Sequence, residues 1–250
     1  MKKLFLIVSI ITMLSVVYAQ AEVHIPILLY HHVVDEYAKE DAHINITPDM
    51  LEAHFDALLD AGYNAITFDE YYRYATGTGE LPEKPVIITF DDGYESNYVY
   101  AYPFLMQRNM KATIFIITST VGEVENVIPH FTWEEAAEML DSGVIKIGSH
   151  THTHRSLTTL SRAEVRKELR LSKYLIEKNL GIKCDYLAFP FGLYDSDIFD
   201  DGIMSGYKLL SRVGDRGHID KYSIGGALNR LTVWGTTTPE ELLNQIEDNL

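Results

Sequence analysis

A single cysteine, Cys184, stands in 250 residues. No disulfide can therefore form within one chain, and stability must come from a packed core. Positive charge is also scarce: 21 Lys and Arg face 36 Asp and Glu, for a formal net charge of −15. That balance disfavours nucleic acid and anionic membrane surfaces as partners. There is no internal repeat, low-complexity tract or linker-like stretch, which argues for one domain. The 46% hydrophobic and 23% charged content is that of an ordinary globular chain.

Long apolar runs are missing as well. The run from Leu4 to Val17 is shorter than the roughly 20 residues a membrane span needs. With Lys2-Lys3 before it and Ala19-Gln20-Ala21 after it, residues 1–21 read as a secretory signal peptide. Cleavage there would leave residues 22–250 as a chain of net charge −17, secreted or associated with the cell envelope, with no stable membrane insertion.

What the chain does have is an alternation of strand-like and helix-like segments. Val86 to Phe90 is a continuous apolar run of the kind buried on both faces of a parallel sheet. It stops at Asp91-Asp92-Gly93, a pair of carboxylates that could form a turn, cap a helix or line a site. Similar runs, Ile25 to Tyr30, Ala112 to Ile117, Val144 to Gly148 and Cys184 to Phe189, end in or near polar clusters. Thr47-Pro48-Asp49 opens a helix over Met50 to Asp60, and Thr132-Trp133-Glu134-Glu135 and Ser161-Arg162-Ala163-Glu164 are capping boxes. The stretch Glu95 to Asn109 reads as a helix that Pro103 must kink or break. Asn64 to Phe68, Tyr207 to Val213 and Arg230 to Trp234 read as further strands.

About seven or eight strands alternating with helices imply right-handed parallel crossovers. A distorted (β/α) barrel in one domain is the expected α/β fold, because only a shared C-terminal face lets polar clusters on several strands meet.

After Gly148 comes Ser149-His150-Thr151-His152-Thr153-His154. The three histidines share one face if the strand continues, and only some converge if the backbone turns. Two imidazoles with one carboxylate and an open position form the donor set of a catalytic zinc site. One member of the Asp91-Asp92 pair could then ligate while the other stays free as a base.

Thr89-Phe90-Asp91-Asp92-Gly93 together with His150-Thr151-His152-Thr153-His154 resembles the first two motifs of the polysaccharide deacetylases, the NodB-like carbohydrate esterase family 4, and so identifies residues 22–250 as a domain of that kind. The resemblance implies Asp91 as catalytic base and Asp92, His150 and His154 as ligands of a divalent metal. Zinc is the expected ion, with cobalt, nickel or iron compatible with the donors. It also implies a backbone N–H donor at Phe191 for the oxyanion. Two departures stand out: the arginine many members place shortly before Pro190 is absent from Leu187-Ala188-Phe189-Pro190, and no Leu-x-His occurs near the C-terminus. Asp91 must be oriented from elsewhere. The opening Leu29-Tyr30-His31-His32-Val33 resembles the permuted branch that deacetylates poly-β-1,6-N-acetylglucosamine, which implies His31 as the general acid and leaves His32 structural.

The expected activity is N-deacetylation of a β-linked N-acetylglucosamine polymer with release of acetate. Within the family the alternatives are acetyl xylan esterase and chitin or peptidoglycan deacetylase. A binuclear amidohydrolase-type barrel is disfavoured by the late position of His150-Thr151-His152. Outside the enzymes, the alternative is an inactive carbohydrate-binding matrix protein.

Overall fold

The computed structural model describes residues 23–125, 128–214 and 217–248; the expected signal peptide lies outside the described residues. Along the chain, β1 (Ile25–Tyr30), β2 (His32–Val33) and β3 (Asn45–Ile46) lead into α1 (Pro48–Asp60). β4 (Asn64–Ile66) is followed by α2 (Phe68–Ala75), and β5 (Pro85–Phe90) by α3 (Tyr102–Arg108). Then come β6 (Ala112–Ile116), α4 (Trp133–Asp141), β7 (Ile145–Ser149), α5 (Arg162–Leu180), β8 (Tyr186–Ala188) and α6 (Ser196–Met204). β9 (Leu209–Gly214), β10 (His218–Ile219), β11 (Leu228–Thr232) and α7 (Pro239–Asp248) complete the series.

Seven strands close a barrel in the order β1-β11-β9-β8-β7-β6-β5, with β5 returning to pair with β1. Every neighbouring pair in the ring is parallel. β4 extends the sheet beside β5, and β10 runs antiparallel to β1. β1, β5 and β6 are buried at every position, as their unbroken apolar runs require. Each fully buried aliphatic side chain contributes about 1.5–3 kcal/mol relative to exposure.

The helix signals act where they stand. Thr47 accepts the Met50 N–H with Pro48 at the first helical position. The capping boxes at Thr132/Glu135 and Ser161/Glu164 form, and Gly181 ends α5 in the left-handed region. Phe68, expected in a strand, instead starts α2, because a third capping box between Thr67 and Glu70 opens a helix there. The helix expected over Glu95 to Asn109 is divided at the proline: Asn97–Ala101 is a π-helical turn, and α3 starts just before Pro103, whose missing N–H is harmless in a first turn. The strand expected from Cys184 begins only at Tyr186, leaving Cys184 as a buried free thiol before it. α6, capped by Asp195, and the short β10 carry no strong periodic pattern and were not expected. Among the described residues no helix is long and apolar enough to cross a membrane.

Because the barrel strands run parallel, the residues just past β1, β5, β7 and β8 emerge on one face. That geometry brings His31, Asp91-Asp92, His150 to His154 and Phe191 together.

Candidate active site

Asp91 follows β5 directly and is 1% exposed. Its N–H donates to the Tyr30 carbonyl at 3.0 Å, continuing the register in which Tyr30 faces Phe90. That places His31 across from Asp91. The Asp91 carboxylate is gripped from below by Arg230 of β11, whose Nη1 donates to Oδ1 at 2.6 Å and whose Nη2 donates to Oδ2 at 2.7 Å. Arg230 is itself fully buried, lies over the Phe115 ring at 5.2 Å and gives a further bond to Thr89 Oγ1 at 3.3 Å. Burial alone would push the Asp91 carboxyl up, but the Arg230 charge, then His150, and the Arg230 hydrogen bonds outweigh it and hold the group well below the usual carboxylate range.

Arg230 supplies the orientation that the missing motif arginine leaves open, and sequence reasoning passed over it. The available signal was a single charge inside the strand Leu228-Asn229-Arg230-Leu231-Thr232, on the same face as Leu228 by the period of two.

The metal-type donors come from two turns. Asp92 takes a left-handed backbone (φ 73°), which turns its carboxylate away from the strand direction. β7 ends at Ser149 and the chain bends, so the three histidines separate. His152 Nδ1 lies 2.9 Å from Thr118 Oγ1, while His150 and His154 meet with their Nε2 atoms 3.2 Å apart. Asp92 Oδ1 is 3.6 Å from both of these nitrogens. One donor atom from each of Asp92, His150 and His154 lies within 4.8 Å of the others.

These three fit a cation on chemical grounds. His150 Nδ1 is 2.9 Å from the Ala188 carbonyl, which can only accept, so Nδ1 carries the proton and Nε2 presents a lone pair. Asp92 Oδ1 is buried with no hydrogen-bond partner. His154 is depressed to about 4, chiefly by burial and then by His150, so its ring is neutral near pH 7. A buried carboxylate oxygen left without a donor is unfavourable unless a positive ion sits beside it.

His31 is half-buried at the mouth. Burial lowers its pKa, against the raising effect of Asp91 and Asp92. His32 turns away, with Nδ1 3.0 Å from Asn45 Oδ1 and its ring 4.7 Å from that of Tyr94. Phe191 lies in the tight Pro190–Gly192 turn at φ 59°, 60% exposed, its ring 4.6 Å from that of His154. Four of the six non-glycine residues with positive φ among the described residues, Asp92, Thr151, His154 and Phe191, are at this site. Such conformations cost on the order of 1–3 kcal/mol each and persist where the surroundings over-determine them.

The same residues belong to a recognised group. The family model described as polysaccharide deacetylase matches residues 78–210, which contain both the Asp-Asp and the histidine motifs. The Bacillus subtilis (strain 168) protein YxkH is 34% identical over 185 residues, covering 74% of this chain and 63% of the relative. The poly-beta-1,6-N-acetyl-D-glucosamine N-deacetylase of Staphylococcus aureus (strain MRSA252) is 30% identical over 186 residues, covering 69% of this chain and 63% of the relative. The chain thus spans 63% of the length of these curated relatives. Among solved structures, the Streptococcus pyogenes deacetylase PplD in complex with acetate superposes with a TM-score of 0.81 at 27% identity, covering 90% of this chain and 99% of that one. With the barrel, the two motifs and a family model spanning more than half of its residues in agreement, the chain belongs to the polysaccharide deacetylase family.

Proposed function

We propose that this protein is a metal-dependent polysaccharide N-deacetylase that removes acetyl groups from a β-linked N-acetylglucosamine polymer, with the β-1,6-linked polymer as its preferred substrate. The observation that carries the reading is the donor cluster of Asp92, His150 and His154 set beside a buried carboxylate, Asp91, that a guanidinium aims. The N-acetylglucosamine assignment is supported by the identity to the Staphylococcus aureus enzyme. It is also supported by a histidine directly after Tyr30, in the place the permuted branch uses for its acid.

Asp92, His150 and His154 would hold a divalent cation, zinc for preference, which would supply Lewis-acid polarisation and lower the pKa of water; that matters because the guanidinium that aims Asp91 also weakens it as a base. Asp91 accepts the proton of the attacking water, through a lone pair not committed to Arg230. The Phe191 N–H helps to hold the developing oxyanion. His31 delivers a proton to the leaving nitrogen. Burial lowers its pKa, which favours release of that proton over its retention. The products are acetate and a free amine. The protein is read as exported, acting outside the cell or at its envelope.

Acetate release from β-1,6- and β-1,4-linked N-acetylglucosamine oligomers and from acetylated xylan, with and without chelator, tests the reading. Chelator-sensitive release, fastest on the β-1,6 oligomers, is expected. Asp91→Asn should lower turnover about 10²–10⁴-fold while metal stays bound. Release from xylan alone would overturn the substrate, and an unchanged Asp91→Asn enzyme would overturn the mechanism.

A further inference from the structure

We propose that Glu168, on the long helix α5, is the positioning residue of the metal centre: its buried carboxylate fixes the loop from His150 to His154 so that the two ligand imidazoles face Asp92. The inference rests on the metal-centre reading above and adds a residue outside both motifs.

Glu168 is 7% exposed. Its Oε2 accepts the His152 N–H at 3.0 Å and the Thr153 N–H at 2.7 Å, and its Oε1 accepts the Thr153 hydroxyl at 2.7 Å. These donors lie on the chain between the two ligands. β7 has already ended at Ser149, so the two N–H groups have left the sheet ladder and the carboxylate takes them instead. One helical turn further along α5, Ser172 Oγ meets Ser149 Oγ at 2.7 Å, and Ser149 Oγ accepts the Thr151 N–H at 3.1 Å. The helix therefore holds the loop at two successive turns.

The loop needs such a hold. Thr151 (φ 66°) and His154 (φ 55°) both occupy the left-handed region, where a β-branched residue such as threonine is a marked outlier. From the other side, the Thr118 N–H donates to the Thr151 carbonyl at 3.3 Å and the Ser119 N–H to the His152 carbonyl at 2.9 Å. Those contacts fix the height of the loop above β6. Glu168 is the only charged side chain bonded to its N–H groups among the described residues, and it sets the turn that returns His154 towards His150.

The test separates position from charge and from folding. Zinc affinity of the demetallated protein, measured by competition with a chromophoric chelator, and the visible spectrum of the cobalt-substituted protein are compared for wild type, Glu168→Ala, Glu168→Gln, Glu168→Asp and Thr153→Val. Glu168→Ala should lose about 10- to 100-fold in zinc affinity, the range seen when groups that orient ligands are removed, with an altered cobalt spectrum. Glu168→Gln keeps the reach and should recover most of the affinity, whereas Glu168→Asp keeps the charge, falls short by one methylene and should not. Thr153→Val, which removes one hydrogen bond, should fall between wild type and Glu168→Ala. A folded Glu168→Ala with wild-type affinity and spectrum overturns the inference, as does full recovery by Asp but not by Gln. If Glu168→Ala does not fold, wild-type affinity in both Glu168→Gln and Glu168→Asp makes the residue merely structural and overturns it. A wild-type protein that binds no zinc would overturn the metal-centre reading itself, a different failure.

Discussion

The two ends of the barrel carry similar residue types in opposite states. At the N-terminal end, Lys111 meets Glu70 at 2.6 Å, Lys208 meets Asp185 at 2.6 Å, Lys146 lies 3.6 Å from Asp69, and the Tyr186 hydroxyl donates to Asp69. Each of these acids has a donor. At the C-terminal end, Asp92 Oδ1 has none and faces two imidazole nitrogens. The first arrangement pairs every acid with a donor; the second gathers donor atoms of the kind that could hold a metal ion. Asp91 sits between the two regimes: Arg230, reaching up through the barrel, brings to the active end the kind of pairing that closes the other.

That contrast breaks most visibly at Arg230. Arg230→Leu leaves the Asp91 charge buried and uncompensated and should destabilise the protein by about 3–5 kcal/mol, whereas Arg230→Leu combined with Asp91→Leu should recover most of the loss. Urea unfolding of both variants checks this, and a single variant within about 1 kcal/mol of wild type would show that the pair is not what holds the barrel interior. Next in size is the metal: zinc at 100 times its dissociation constant should add about 2.7 kcal/mol. For a chain of this size that is a rise of roughly 5–10 °C in Tm. Asp92→Asn should abolish the rise without lowering the Tm of the metal-free protein, since it relieves crowded acceptors.

A smaller effect is expected at the turn carrying Phe191. Gly192 has φ 69°, and a Cβ there would stand 2.9 Å from the Val213 N. Gly192→Ala should cost about 1–2 kcal/mol for the left-handed backbone and slow turnover by shifting Phe191, read by thermal unfolding beside acetate release. The smallest change belongs to the paired end. Lys111→Met removes a part-exposed ion pair and should alter stability by about 0.2–1 kcal/mol, less at high salt, with turnover unchanged. A large loss of turnover from Lys111→Met would mean that the two ends are not as separate as the pairing suggests.

Much of this contrast was legible in the sequence. The strand and helix order followed from apolar runs and capping boxes, which act within a few residues. That one of the adjacent carboxylates would meet some of the alternating histidines followed from their places at strand ends, whereas the choice of Asp92, His150 and His154 came only from the resemblance to the deacetylase motifs. The limits of legibility are equally local. That His152 would leave the cluster depends on Thr151 and His154 adopting positive φ, which the β-branched Thr151 strongly disfavours. Arg230 and Glu168 act across the fold rather than along the chain. Nothing in Leu228-Asn229-Arg230 says that its guanidinium will meet Asp91, and nothing in α5 says that one glutamate on its amphipathic surface faces inward. Such pairings exist only after the ring of strands has closed.

The Asp91–Arg230 pair also has a consequence for the order of events as the protein is made. The partners are 139 positions apart, and the strand that brings Arg230 is the last of the ring in chain order. Until β11 docks, the carboxylate has no guanidinium, and its burial as a charge carries a large penalty. Closing so distant a contact is slow compared with helix formation. The aimed carboxylate therefore exists only once the segment bearing Arg230 has been made and has docked.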